Sequence, residues 1–206
     1  LSSSHVGSMG GIMALKRGVC HLAGSHLLDI DDGSYNVSYI KKLLPDLGVT
    51  LVHLVERDQG LMIQRGNPKN IQSIADLGRE DIRFMNRQGG SGTRILLDYK
   101  LRQLGINPAS IDGYQLEEFT HMAVAIAVLS GTVDAGLGIF AAAQALDLDF
   151  IPVVTEQYDL IISNDHFGSS NIQILLETIN SQPFKERVNA LGGYSTAQTG
   201  KIVDIS

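Results

Sequence analysis

Residues 82–94, IRFMNRQGGSGTR, pass from an apolar run through a glycine-rich loop into an amphipathic segment. The spacing predicts a buried strand over 82–85 and a helix over 94–104, stopped by Gly105 and Pro108. A loop at such a junction places Ser91, Gly92, Thr93 and Arg94 where the first helical N–H groups lack an intrahelical acceptor. Those donors and the partial positive charge of the helix terminus favour an anion. The hydroxyls of Ser91 and Thr93 add donors, and Arg87 or Arg94 can add a guanidinium fork. A nucleotide loop does not fit, because no lysine follows the last glycine and the G-x-G-x-x-G spacing is absent. A nucleophile elbow would need glycine at 93, where the chain has Thr93. No acid, base and nucleophile can be picked out as a set, so no catalytic residue is expected.

Outward from this unit the same alternation recurs. A helix is expected over 9–17, stopped by Gly18, then a short strand in VCHLAG and a helix in VSYIKKLL cut short by Pro45. VTLVHLVERDQGLMIQRG reads as two apolar runs with a polar interruption at 56–59, and DFIPVVTEQYDLIIS as strand, loop, strand. Thr120 can cap a helix over 121–129, which Gly131 terminates. VDAGLGI reads as a short strand with a glycine turn, where Gly136 and Gly138 permit close backbone approach, feeding a helix over 140–146. Two helices close the chain, over 172–179 and 183–191. The alternation predicts an α/β fold with a mixed, mostly parallel sheet in each of two lobes. Lobe 1 is discontinuous, 1–62 and 151–206, and lobe 2 is the insertion 63–150, with hinge crossings between them.

The start, SSSHVGSMGG, repeats the chemistry of the first loop: Ser3, Ser4, Gly7 and Ser8 precede or open a helix. Two such helix starts, assigned to different lobes, suggest a clamp that holds a small anion without any need for net positive charge. This opening leads straight into a helix with almost no strand before it, so a first strand and helix are expected to be missing from the chain. DIDDGSYN lacks the later oxygen ligands of a calcium loop, and the six histidines show no metal-ligand spacing, so no metal or other cofactor is expected.

Composition bounds the partners. The 206 residues carry a net charge of −6, which argues against nucleic-acid binding by this domain itself. One cysteine, Cys20, rules out an internal disulfide, and no apolar run is long enough to span a membrane. With no signal peptide evident, a cytoplasmic location is expected.

Taken together, GSMGGIMALKRG, CHLAGSHLLDIDDGSYN, ERDQGLMIQRGNPK, RFMNRQGGSGTRILLDY, THMAVAIAVLSGTVDAGLGI, LDFIPVVTEQYDLII and LGGYSTAQTG resemble a known family. It is the periplasmic-binding-protein-like (type II) domain found with molybdenum-cofactor biosynthesis proteins and with helix-turn-helix regulators. The chain is similar, more distantly, to molybdate- and tungstate-binding receptors. The resemblance implies a non-enzymatic sensor that closes on an oxyanion, molybdate or tungstate favoured, in a cleft between the lobes. It implies contacts from Ser3, Ser4, Gly7 and Ser8 on one lobe, and from Arg87, Ser91, Gly92, Thr93 and Arg94 on the other, with Gly136 and Gly138 nearby. An upstream DNA-binding domain and a homodimer are compatible with it. The alternative is an accessory domain of molybdopterin synthesis holding a pterin-type intermediate against Tyr35, Tyr114, Tyr158 or Phe140.

Overall fold

The structure, a computed structural model, describes residues 2–205. In chain order the elements are α1 (Gly7–Lys16), β1 (Leu22–Ser25), α2 (Val37–Leu43), β2 (Val49–Ile63), β3 (Phe84–Arg87), α3 (Gly92–Gln103), β4 (Glu117–Glu118) and α4 (His121–Leu129). There follow β5 (Ala135–Ile139), α5 (Phe140–Ala145), β6 (Asp149–Ser163), α6 (Asn164–Phe167), α7 (Ser170–Asn180), α8 (Gln182–Asn189), β7 (Tyr194–Ser195) and β8 (Ile202–Val203). The chain forms two compact units: Asp58–Thr155 with the described residues up to His5, and Val6–Arg57 with the described residues from Glu156 onward. It passes from one to the other inside β2, after Arg57, and inside β6, after Thr155.

In the unit built on Asp58–Thr155, β3 lies between β4 and β5 and runs parallel to both. The last part of β2 joins β5 antiparallel, Gln59 opposite Ile139. Val124, Ala125 and Val128 of α4 are fully buried and pack with Met62, Met85, Val133, Ala142, Ala143 and Leu148. Each of the valine, leucine and methionine side chains among them contributes roughly 1.5–3 kcal/mol by leaving water. In the second unit β1 pairs antiparallel with β6, and β2 pairs antiparallel with β7 and β8. Its sheet is covered by α7, which turns Ile172 and Ile179 inward, one helical repeat of seven apart, onto Val52, Leu160 and Ile162.

Several boundaries differ from the sequence expectation for physical reasons. The sheet is mixed and not mostly parallel: among the described residues β3 pairs parallel with β4 and β5, while β2 meets β5, β7 and β8, and β6 meets β1, antiparallel. Neither long strand is interrupted. Residues 56–59 continue the strand alternation of β2, with Arg57 and Gln59 buried between half-exposed Glu56 and Asp58. Glu56 and Arg57 are paired with Ser195 and Tyr194 of β7. In β6 the polar stretch TEQYD likewise lies inside one strand of 15 residues. β5 contains no glycine turn: Gly136 and Gly138 lie within the strand, which runs directly into α5.

Candidate functional site

Parallel strands with short connections bring their carboxyl ends, and the helices that follow them, to one edge of a sheet. In the unit built on Asp58–Thr155, β3 leads to α3 and β4 leads to α4 at that edge. Both helices are capped by a hydroxyl: Ser91 Oγ accepts from the Arg94 N–H at 3.2 Å, and Thr120 Oγ1 accepts from the Ala123 N–H at 3.0 Å. In each helix the N–H groups of the first two residues remain without an intrahelical acceptor. In α3 these are Gly92 and Thr93.

Two side chains of the β3–α3 turn add unused polar capacity. Thr93 is 1% exposed and Gln88 is 6% exposed. Among the described residues neither Thr93 Oγ1 nor Gln88 Nε2 has a hydrogen-bond partner. Leaving a buried polar group unsatisfied costs about 1–3 kcal/mol, so two in one turn, beside a helix N-terminus, point to a polar ligand.

The two arginines of this loop are braces in this structure. Arg87 donates from Nε to the Glu118 carbonyl at 3.1 Å and from Nη2 to the Phe119 carbonyl at 2.9 Å, tying β3 to the end of β4. Arg94 donates to Glu117 Oε1 at 3.0 Å and pairs with Asp98 at 3.3 Å. Its guanidinium lies 4.0 Å from the Tyr114 ring centre, and Tyr114 in turn donates to Asp98 at 2.5 Å. Gly136 and Gly138 serve packing: a Cβ at 136 would overlap the Val124 side chain, and one at 138 the thioether end of Met62.

In the second unit α1 opens with Gly7, at φ 72°, and buries Ser8. Ser8 Oγ accepts from the His26 N–H at 3.3 Å, joining the first turn of α1 to the end of β1. Ser3 and Ser4, expected on the same lobe as Gly7 and Ser8, are exposed, lie outside any regular element and cluster with the unit built on Asp58–Thr155. Beside Ser8 lies a buried charge network that sequence reasoning missed. His26 Nδ1 donates to Glu156 Oε2 at 2.7 Å, and Arg57 Nε donates to Glu156 Oε1. The Arg57 guanidinium sits 4.4 Å from the centre of the Tyr158 ring, on which His26 also stacks. Burial pushes the Glu156 carboxyl up, but the Arg57 guanidinium and His26 outweigh it and hold the group at about 2. Burial, helped by the Glu156 charge, raises the Tyr35 phenol to about 12. A second buried carboxylate, Asp159, accepts from Asn36 Nδ2 at 2.7 Å and meets His53 Nδ1 at 2.9 Å. Burial raises its pKa above the usual carboxylate value despite these partners. Sequence carries no local signal for the network: Arg57 and Glu156 lie 99 residues apart, each inside a polar stretch that reads as a loop until its partner is known.

Two α/β units linked by two strand crossings, with capped helix starts beyond parallel strand ends, define a ligand-binding domain of the binding-protein class. The chain belongs to the PBP superfamily, whose domain model matches residues 1–180. It is 41% identical over 197 residues to YvgK of Bacillus subtilis strain 168, an uncharacterized protein, matching 96% of this chain. The chain spans 63% of that relative's length. It is 44% identical over 110 residues to an uncharacterized Clostridium pasteurianum protein from the 5′ region of a 2Fe-2S ferredoxin gene, covering 53% of this chain and 97% of that one.

Among solved structures, a Clostridium perfringens protein with bound phosphate matches with a TM-score of 0.61 at 14% identity, covering 90% of this chain and 83% of that one. An ABC-type phosphate transport receptor from Vibrio cholerae matches with a TM-score of 0.53 at 15% identity, over 92% and 85% of the two chains. The AvGluR1 ligand-binding domain in complex with phenylalanine gives 0.57 at 15% identity, over 98% and 76%. At these identities the likeness is one of fold. Among the described residues no helix is long and apolar enough to cross a membrane.

Proposed function

We propose that this domain binds a small oxyanion, with molybdate or tungstate favoured, and serves as the sensing part of a transcriptional regulator or molybdenum-cofactor protein. The observation that carries the reading is the β3–α3 turn, where Thr93 Oγ1 and Gln88 Nε2 are buried and unpartnered beside the first N–H groups of α3, which have no intrahelical acceptor. Donors without net charge suit an anion that has left water, because each N–H or O–H replaces part of its hydration. In this reading Ser91 and Gly92 shape the turn, Arg87 and Arg94 hold it rigid, and Gly136 and Gly138 let α4 and Met62 close on the sheet behind it. Ser3, Ser4, Gly7 and Ser8 remain a second proposed contact set, resting on the resemblance and on the position of Gly7 and Ser8 at the start of α1. The two similar structures connected with phosphate support an anion as the class of ligand, and the one with phenylalanine supplies the competing class.

The pterin alternative is the weaker reading. Of the four rings it would use, Tyr114 is covered by Arg94, Tyr158 by Arg57 and His26, and Phe140 packs edge-on against Phe150, which leaves Tyr35 to support it. Thermal denaturation with molybdate, tungstate, sulfate, phosphate, glutamate and phenylalanine, each in turn, tests the proposal. A rise in Tm with an oxyanion and none with the amino acids is expected; the reverse pattern, or no rise with any oxyanion, rejects it.

A further inference from the structure

Gln88 opens the β3–α3 turn, and nearly everything it can bond with is already spent inside the protein. Its backbone N–H donates to the Glu118 carbonyl at 3.2 Å, and its carbonyl accepts from the Ser91 N–H at 3.2 Å. Its side-chain Oε1 accepts from Arg87 Nε at 3.2 Å. Only Nε2 is left, buried and without a partner. A primary amide is two-faced: turned over, it offers an acceptor where it had offered donors. Here the neighbours decide which way it faces. Turned over, the amide of Gln88 would set Nε2 against the Arg87 Nε–H, donor against donor, and forfeit a charge-assisted bond. Arg87 is itself held, because its Nε also donates to the Glu118 carbonyl and its Nη2 to the Phe119 carbonyl.

We propose that Gln88 is a binding residue of this turn and that Arg87 is its positioning residue, the guanidinium holding the amide so that Nε2 can only donate to the ligand. The inference rests on the reading of the turn as an anion site, and it sharpens the class of group received there. Gln88 takes an unprotonated oxygen. An ammonium or an amide N–H is turned away at this position, since the amide cannot present Oε1 to it. Arg87 thus acts on the ligand through Gln88, beyond tying β3 to the end of β4.

Calorimetric titration of the whole chain with molybdate reads both roles. Gln88→Met, which keeps the length of the side chain but has no amide, is expected to bind about 5- to 150-fold more weakly. Arg87→Met is expected to weaken binding in the wild-type chain, but by less than about two-fold in the Gln88→Met background. A residue that only stiffens the turn would weaken binding equally in both backgrounds, and that result overturns the role given to Arg87. Because Arg87 also ties two strands together, a measurement without any substitution accompanies these. In the isotope-labelled wild type, the side-chain NH2 resonances of Gln88 are expected to move with molybdate at the calorimetric midpoint. Resonances that stay in place overturn the inference, as does wild-type binding that Gln88→Met leaves unchanged; the anion reading survives both. No heat with molybdate, tungstate, sulfate or phosphate overturns that reading and this inference with it.

Discussion

Thr93 and Ser91 stand two residues apart, and their hydroxyls have opposite employment. Ser91 Oγ caps α3, so Ser91→Ala is expected to lower unfolding stability by about 1 kcal/mol in urea denaturation. Thr93 Oγ1 is buried without a partner. Thr93→Val, which keeps the shape, is expected to leave stability unchanged or raise it while weakening anion binding by about 1–3 kcal/mol. A loss of stability in Thr93→Val equal to that of Ser91→Ala would mean that its hydroxyl is structural. Glu156 makes a further statement at this scale. Its folded pKa of about 2 lies below its ordinary value of 4.5, so the carboxylate contributes stability above pH 4.5. That contribution is lost as pH falls from 4.5 through 2. A shift of this size corresponds to about 3 kcal/mol. Wild-type stability is expected to fall steeply over that window, while Glu156→Gln lacks this part of the fall. The variant should also be less stable by about 3–5 kcal/mol at neutral pH, because it leaves Arg57 buried beside an uncharged amide.

At the level of elements, α4 was legible to the residue, since Thr120 and Gly131 bracket an unbroken apolar helix over His121–Leu129. β3 was found two residues early: its apolar run ends at Met85, but the hydrogen-bonding partners supplied by β4 extend the strand to Asn86 and Arg87. The long strands were misread at their centres for a related reason. A polar run resembles a loop until the partners that neutralise it are known, and Glu156 lies 99 residues from Arg57 in the chain. The glycines of β5 were noticed for the wrong local geometry. They make room for a helix side chain and a methionine instead of turning the chain. Gly136→Ala is accordingly expected to destabilise the domain by about 1–3 kcal/mol through overpacking against Val124, measured as a lower urea midpoint with an unchanged slope.

For the whole molecule, the alternation of strands and helices carried the α/β class, and the family blocks carried the binding-protein assignment that the match over residues 1–180 establishes. The buried network of Arg57, Glu156, His26 and Tyr158 was not legible, because no short motif encodes a contact between distant strands. The same holds for the unsatisfied groups at Gln88 and Thr93: the sequence marks a polar turn, but burial decides which of its atoms lack a partner. The central claim is that this turn is an anion site. Calorimetric titration of molybdate into the wild-type chain and into Thr93→Val tests it most directly. The account predicts saturable one-site heat in the wild type and an affinity lower by about 5- to 150-fold in the variant. Equal affinities in the two proteins, or no heat in either with molybdate, tungstate, sulfate or phosphate, would contradict it.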